Sequence, residues 1–237
     1  MLKRRKYVGK LLRGDENMSK KVILTFDDCC ISHLTFVAPL LQKYGFGATF
    51  FVSMPDEWYR PNPGKFLSPQ QILQLYHLGF EIGNHTLNHA GMQPLNDEQC
   101  RNEIAGLNNI LAGQGIPLPV SFAYPGGPYA ENAARILPEF GIRFARTTEK
   151  ARWNRRTTDP LRIPCFAVCS KEPDNFAQAL ELSSEDADSA VVILYHGVPD
   201  EVHPHCDTSP ELFEKHMKYL SDNGFQVLSM SGFGLSC

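Results

Sequence analysis

Five acidic and imidazole side chains in this sequence have types and spacings that could hydrolyse an amide or an ester. Asp27 and Asp28 close an apolar run, His85 and His89 are four residues apart, and His196 follows another apolar run. One carboxylate and two neutral imidazoles commonly bind a divalent cation with open coordination positions. In this interpretation Asp28, His85 and His89 bind a zinc-like ion. Asp27 then accepts a proton from water as general base, and His196 donates one to the leaving amine.

Each of these features also has a plainer interpretation when it is taken alone. An Asp pair after a strand often serves as turn and helix N-cap. A pair of histidines four residues apart is ordinary surface or core structure about as often as it is a metal site. His196 alone could be a hydrogen-bonded core histidine. The metal-site interpretation is favoured because all three features follow predicted strands.

A glycine turn after another predicted strand adds a further element to this chemistry. Gly126 and Gly127 carry no side chain, so their backbone N–H groups can approach a carbonyl closely and could stabilise an oxyanion. Tyr124 ends the strand just before this turn. We therefore assign all three to the oxyanion and substrate-binding region.

The elements that must position these residues alternate between β-branched apolar runs and amphipathic stretches. Strands are predicted at 22–26, 47–52, 80–83, 121–124, around Phe144, and at 163–168, 191–195 and 225–228. Ser68-Pro69 and Asn96 have the composition of helix starts. Repeated strand–helix units predict an α/β fold with a parallel sheet. The length favours a closed or nearly closed barrel, in which the strand ends that carry these residues share one face.

Composition restricts the class of protein. The 237 residues carry 23 Lys+Arg and 26 Asp+Glu, a net charge of −3, which argues against a nucleic-acid partner. No apolar run approaches the roughly 18 residues of a membrane span, and no apolar segment follows the basic start as in a signal peptide. The seven cysteines form no CxxC pair and are expected to be mostly reduced thiols. We therefore predict a cytoplasmic protein, with a flexible segment at 1–20 and one domain at 21–237; its oligomeric state stays open.

At these residues the sequence resembles the polysaccharide deacetylase family, the NodB-homology carbohydrate esterases. The segment 25–28 reads TFDD, the first motif of that family, and 85–89 reads HTLNH, which matches its H-[ST]-x-x-H motif. The segment 122–127 lies at the third motif, and 194–196 matches the last, L-x-H. The resemblance extends from about residue 21 to the end of the chain.

The resemblance implies a distorted (β/α) barrel with about seven parallel strands. It implies a hydrolase that removes acetyl groups from N-acetylated or O-acetylated sugars or oligosaccharides, with a divalent metal that is commonly zinc. Asp28, His85 and His89 are the implied ligands. Asp27 is the implied base and His196 the implied acid. Two alternatives stay open: a cyclic amide, imide or N-formyl hydrolase on the same barrel, and a catalytically silent carbohydrate-binding homologue.

The sequence departs from the family pattern in its third motif. Ala123 stands where the family commonly has an Arg that pairs with the catalytic Asp, and Gly126 replaces an aromatic residue. We hypothesise that Arg146 supplies the missing guanidinium to Asp27; a solvated or sheet-edge arginine is the alternative. Trp153 could replace the family's aromatic patch, or could lie in an exposed basic loop.

Overall fold

The computed structural model describes residues 19–236, which fold around a mostly parallel sheet. The predicted flexible segment at 1–20 lies mostly outside the described residues, and the domain bounds stay a prediction. The nine strands of the described part are Lys21–Asp27 (β1), Thr49–Val52 (β2), Glu81–Asn84 (β3), Ser121–Ala123 (β4), Phe144–Arg146 (β5), Trp153–Asn154 (β6), Phe166–Ala167 (β7), Ser189–Tyr195 (β8) and Gln226–Leu228 (β9).

Helices connect most of these strands. In the described part they are Ala38–Tyr44 (α1), Asp56–Tyr59 (α2), Pro69–His77 (α3), Asp97–Gly113 (α4), Glu131–Ile136 (α5), Asp174–Glu181 (α6), Pro210–Asp222 (α7) and Met230–Gly234 (α8), with a π-helical turn at His33–Val37 and a 3-10 turn at Leu137–Phe140.

The two helix starts expected from the sequence are confirmed, and their caps explain them. Ser68 Oγ accepts a hydrogen bond from the N–H of Gln71, whose side chain accepts one from the N–H of Ser68. Asn96 and Gln99 form the same reciprocal pair at the start of α4. Such boxes satisfy N–H groups that have no partner in the first helical turn.

The sheet curls into a distorted barrel of seven parallel strands, as expected. Its strands follow the order β5-β4-β3-β2-β1-β8, and β7 pairs with β8. The two ends of this order are joined through residues 163–167. Ile163 pairs with β5, while Phe166 and Ala167 pair with β8. The two remaining strands are additions to this ring: β9 pairs in parallel with the start of β1, and β6 pairs antiparallel with the start of β8.

Two local expectations are wrong. The predicted strand at 163–168 is reduced to the two residues of β7, because the segment crosses from one strand neighbour to the other. Trp153 neither lies in an exposed loop nor replaces an aromatic patch at the site. It is 1% exposed in the short strand β6, which the sequence did not predict, and its ring packs edge-on against Phe233 with centroids 4.8 Å apart.

Strand register brings the carboxyl ends together. Asp27 at the end of β1 pairs with Phe51, Phe26 pairs with Tyr195, and Ala123 pairs with Arg146. Residues that follow or end these strands therefore converge on one face of the barrel. Buried aliphatic and aromatic side chains on both sides of β1 and β8 form the core that holds this register.

Two findings concern the cysteines and the helices. The six cysteines within the described residues are free thiols, in agreement with the expected reduced state.

Across residues 19–236, no helix combines the length and apolar composition needed to cross a membrane.

Candidate active site

The turn after β1 places two adjacent carboxylates in one cavity. Successive side chains of a strand point to opposite faces, so Asp27 and Asp28 can meet only if the chain leaves the extended conformation. It does so at Asp28 and Cys29, whose φ angles are 75° and 57°. Positive φ is costly for residues other than glycine and is often found at functional sites. Both carboxylates are buried, with 3% and 5% exposure.

The two histidines of the HTLNH segment reach the same cavity from a loop and not from a helix. The segment follows β3 without helical structure, so the spacing of four residues does not act through a shared helix face. Thr86 and His89 instead have φ angles of 62° and 52°. Asn84 Oδ1 accepts from the N–H of Thr86, and Thr86 Oγ1 accepts from the N–H of Ala90. These bonds fix the loop that directs both imidazoles inward.

Asp28, His85 and His89 form a set of ligand atoms that fits a divalent cation. Nε2 of His85 and of His89 lie 3.5 and 3.4 Å from Asp28 Oδ1, and all three ligand atoms lie within 4.8 Å of one another. Asp28 Oδ1 is buried without a hydrogen-bond partner in the described part. His85 Nδ1–H donates to the carbonyl O of Ala123 at 2.8 Å, which leaves the Nε2 lone pair for a cation.

The charges of Asp28 and His89 suit cation binding, whereas the carboxylates of Asp27 and Asp28 raise the pKa of His85 against the effect of its burial. Burial alone would raise the pKa of Asp28, but its contact with His85 and the nearby imidazoles of His196 and His89 hold that pKa well below its usual range. Burial, and secondly the neighbouring His85, lowers the pKa of His89 to about 4. At neutral pH the site therefore offers an ionised carboxylate and a neutral His89 ring.

Arg146 is brought directly against Asp27. Its Nη2 donates to Asp27 Oδ2 at 2.5 Å, and its guanidinium lies over the ring of Phe51, 5.3 Å from the centroid. The side chain is fully buried, which excludes the alternative of a solvated arginine at the sheet edge. The register explains the contact: Ala123, where the family pattern has Arg, is the residue that pairs with Arg146 on the neighbouring strand.

Asp27 has one oxygen engaged and one oxygen free. Oδ2 accepts from Arg146 and lies 3.6 Å from His85 Nε2. Oδ1 is buried and has no hydrogen-bond partner among the described residues. A buried, unpartnered carboxylate oxygen is costly, which is consistent with a position that receives a proton.

His196 enters the cavity from the end of β8. Its Nε2 lies 3.7 Å from Asp28 Oδ2. Its backbone carbonyl accepts a hydrogen bond from Nε2–H of His33 at 3.0 Å. A buried side chain on the π-helical turn thus holds the backbone that carries His196.

Protonation of His33 is expected to destabilise the folded chain below pH 6.5. Burial lowers the pKa of this fully buried ring from 6.5 to about 4, so the unfolded chain binds the proton first as the pH falls. The free energy of unfolding should drop by about 3 kcal/mol between pH 6.5 and 4. Urea denaturation of the wild type and of His33→Gln, which keeps an N–H donor, measures this. Equal pH slopes for the two proteins would contradict the assignment.

The glycine turn offers one free amide, not two. The N–H of Gly127 donates to the carbonyl of Tyr124, and the N–H of Tyr124 donates to the carbonyl of Arg146. The amide of Gly127 is therefore not free for an oxyanion, which corrects that part of the sequence interpretation, and the amide of Tyr124 is engaged as well. The N–H of Gly126 has no partner in the described part. A Cβ on Gly127 would lie 2.1 Å from Thr148 Oγ1, so the turn requires glycine there.

A cavity of about 260 Å³ unites these groups. All nine site residues named from the sequence line it: Asp27, Asp28, His85, His89, Tyr124, Gly126, Gly127, Arg146 and His196. The Tyr124 ring forms part of the cavity wall. Its hydroxyl does not donate into the cavity, because it donates to the carbonyl of Leu161.

Among the other residues that line the cavity, Trp58 and His203 were not assigned to the site from the sequence. Trp58 lies on α2, with its ring centroid 4.7 Å from that of His89 and 4.8 Å from that of His203. His203 lies in the loop after His196, where a histidine without other signals is usually only solvated. The single available signal was an Asp three residues before it, at position 200.

Comparison with known proteins assigns the chain to a family. Residues 14–145, more than half of the chain, match the family model described as polysaccharide deacetylase. A peptidoglycan-N-acetylglucosamine deacetylase of Bacillus cereus is 32% identical over 126 residues, which cover 53% of this chain and 55% of that protein. YxkH of Bacillus subtilis, a polysaccharide deacetylase by name, is 26% identical over 145 residues, 61% of this chain and 50% of YxkH. The chain thus spans about half the length of these curated relatives.

A solved structure shows the same fold. The peptidoglycan N-acetylglucosamine deacetylase Bc1960 superposes with a TM-score of 0.64 at 20% sequence identity, covering 92% of this chain and 89% of the other. At that identity the likeness establishes the barrel architecture. The chemistry of this chain depends on its own residues.

Proposed function

The chain belongs to the polysaccharide deacetylase family, and on that premise we propose that it is a metal-dependent hydrolase of acetylated sugars. Its substrates in this proposal are N-acetylated sugars or oligosaccharides, with O-acetylated sugars as the second class. The names of the Bacillus cereus and Bc1960 proteins, both peptidoglycan N-acetylglucosamine deacetylases, support an N-acetyl substrate.

One observation carries the proposal: the paired carboxylates have different partners in a single cavity. Asp28 lies among imidazole nitrogens that suit a cation, whereas Asp27 lies against Arg146 and keeps one oxygen free. A protein that only binds sugars has no use for a charged base buried beside a metal site. This division of roles favours hydrolysis over the silent-homologue alternative.

Asp28, His85 and His89 would hold the divalent ion, zinc by preference for this ligand set. Such an ion, when bound, acts as a Lewis acid on a carbonyl oxygen and makes water easier to deprotonate. His85 is held in the ligating tautomer by the carbonyl of Ala123. The loop with positive φ at Thr86 and His89 fixes the direction of the second imidazole.

The chain's own groups then carry the proton transfers. Asp27 Oδ1 accepts a proton from the attacking water, while the hydrogen bond from Arg146 to Oδ2 orients the carboxylate. The N–H of Gly126 donates to the oxyanion that forms on the acetyl carbon. His196 donates a proton to the leaving amine as the carbon–nitrogen bond breaks. The products are acetate and a free amino sugar.

Acetate release from a substrate panel tests the function. The panel contains chitooligosaccharides, peptidoglycan fragments, acetylated xylan, cyclic imides and N-formyl sugars. We expect metal-dependent acetate release from the N-acetylated sugars, abolished by a chelator and restored by Zn²⁺ or another divalent ion. Opening of a cyclic imide without acetate release would replace this function by the alternative hydrolase. Oligosaccharide binding without turnover or bound metal would support the silent homologue.

A further inference from the structure

A second carboxylate–imidazole pair lies beside the cavity, in the loop after His196. Asp200 is buried, and its Oδ1 accepts hydrogen bonds from the N–H groups of Val202 and His203 at 3.0 and 2.7 Å. Its Oδ2 accepts from Cys30 Sγ at 3.3 Å and lies 3.3 Å from His203 Nδ1. The carboxylate is therefore fixed by several donors before it meets the imidazole.

These contacts determine which nitrogen of the His203 imidazole is engaged and which is available for chemistry. With Nδ1–H donating to Asp200, Nε2 is the nitrogen without a hydrogen-bond partner among the described residues. The ring lines the same cavity as the metal ligands and packs edge-on against Trp58, with centroids 4.8 Å apart. Asp200 and Trp58 thus hold the ring in place, and Nε2 is its free functional atom.

His203 differs from the other imidazoles of the cavity in its carboxylate partner. His85 and His89 belong to the metal-ligand set, and the carboxylate beside His196 is Asp28, a member of that set. Within residues 19–236, His203 is the histidine of the cavity whose carboxylate partner lies outside the metal-ligand set. The hydrogen bond that His203 donates to Asp200 raises the pKa of His203, which favours a ring that carries a proton to donate.

We propose that His203 is a second proton donor of the site, oriented by Asp200, and this rests on the proposed deacetylase function. Water adds to the acetyl carbon and gives one proton to Asp27. The C–N bond then breaks, its electron pair goes to nitrogen, and nitrogen takes its one proton from His203 Nε2 in the turnovers that His196 does not serve. Acetic acid and the free amine result, and the proton on Asp27 later restores His203 through solvent. His203 is a catalytic residue and Asp200 a positioning residue.

The dependence of the rate on the leaving group tests this role. An amine must be protonated to leave, whereas 4-nitrophenolate leaves without a proton. We expect His203→Gln to lower kcat for deacetylation of chitooligosaccharides by about 10²-fold while changing hydrolysis of 4-nitrophenyl acetate less than about threefold. Asp200→Asn should show the same selectivity. Equal losses on both substrates, or no loss on either, would overturn the proposal.

His205→Gln is the matched control, because that histidine lines the same cavity two residues away. It should change the amide and ester rates by the same factor. His196→Gln, measured in parallel, shows how the two donors share the step. If only His196→Gln is selective for the amide, His203 is not a donor.

A spectroscopic measurement keeps the outcome separate from the deacetylase function. Imidazole ¹⁵N NMR, assigned with His203→Gln, should show protons on both Nδ1 and Nε2 of His203, and the doubly protonated fraction should fall in Asp200→Asn. Glucosamine oligosaccharide, the product amine, should shift the Nε2 signal; an unmoved signal counts against the donor role. A series of acetate esters covers the case in which no sugar is deacetylated. If His203→Gln then slows the esters whose alcohol needs a proton to leave more than it slows 4-nitrophenyl acetate, the deacetylase function fails and the donor role stands.

Discussion

Asp27→Asn is expected to lower kcat for acetate release by about 10³-fold. The substitution keeps the shape of the side chain and a carbonyl oxygen for Arg146, but it removes the carboxylate that accepts the proton from water. Because Asp27 is not one of the three side chains that fit the cation, the metal content should be unchanged. Steady-state kinetics and metal analysis of the same protein preparation check both expectations.

Asp222→Asn is a suitable control for this variant. That carboxylate pairs with Lys218 on the exposed face of α7, and both side chains are more than half exposed. Its removal should leave kcat unchanged. Full activity in Asp27→Asn would show that the base is another group and that the mechanism proposed here is wrong.

Arg146→Met is expected to destabilise the fold by about 3–5 kcal/mol, because it leaves the carboxylate of Asp27 buried without its cation. Both side chains are almost completely buried, so water cannot replace the guanidinium. Urea denaturation of the metal-free protein measures the loss. The double variant with Asp27→Asn should recover much of it, since the uncompensated charge is gone. Additive losses in the double variant would contradict direct pairing.

Arg146→Lys separates charge from geometry at the same position. The ammonium keeps the positive charge but lacks the planar fork that reaches Asp27, Thr147 and Cys165 together. We expect kcat to fall by about tenfold and the pH profile to shift, because Asp27 is less well oriented. Unchanged activity and an unchanged pH profile would show that Arg146 has no part in the reaction.

Local signals in the sequence account for much of the fold. The strands β1 and β8 are apolar runs buried along their whole length apart from Lys21, and short-range hydrogen bonds define the starts of α3 and α4. Such features depend on residues a few positions apart, so they can be predicted from the chain alone. The antiparallel strand β6 could not be predicted, because two residues carry no recognisable alternation.

The barrel closure and the environment of Asp27 depend on contacts between distant segments. The segment 163–167 closes the ring only because β5 and β8 lie near enough to bond to its two ends. Arg146 meets Asp27, 119 residues earlier, because β4 and β5 pair in one particular register. A shift of one residue would direct the guanidinium to the other face of the sheet.

The side chains that follow the strands were determined by the sequence itself: the carboxylate pair at 27 and 28, the histidines at 85 and 89, and His196. Their types and their places after apolar runs are sufficient to indicate amide hydrolysis with a divalent cation. Tertiary structure alone decided which partner each of them has. It placed Arg146 on Asp27, engaged the amides of Tyr124 and Gly127, and paired Asp200 with a histidine of the cavity. The physical reason is that hydrogen bonds and buried charges are satisfied by neighbours in space, which strand register and loop paths determine and sequence spacing does not.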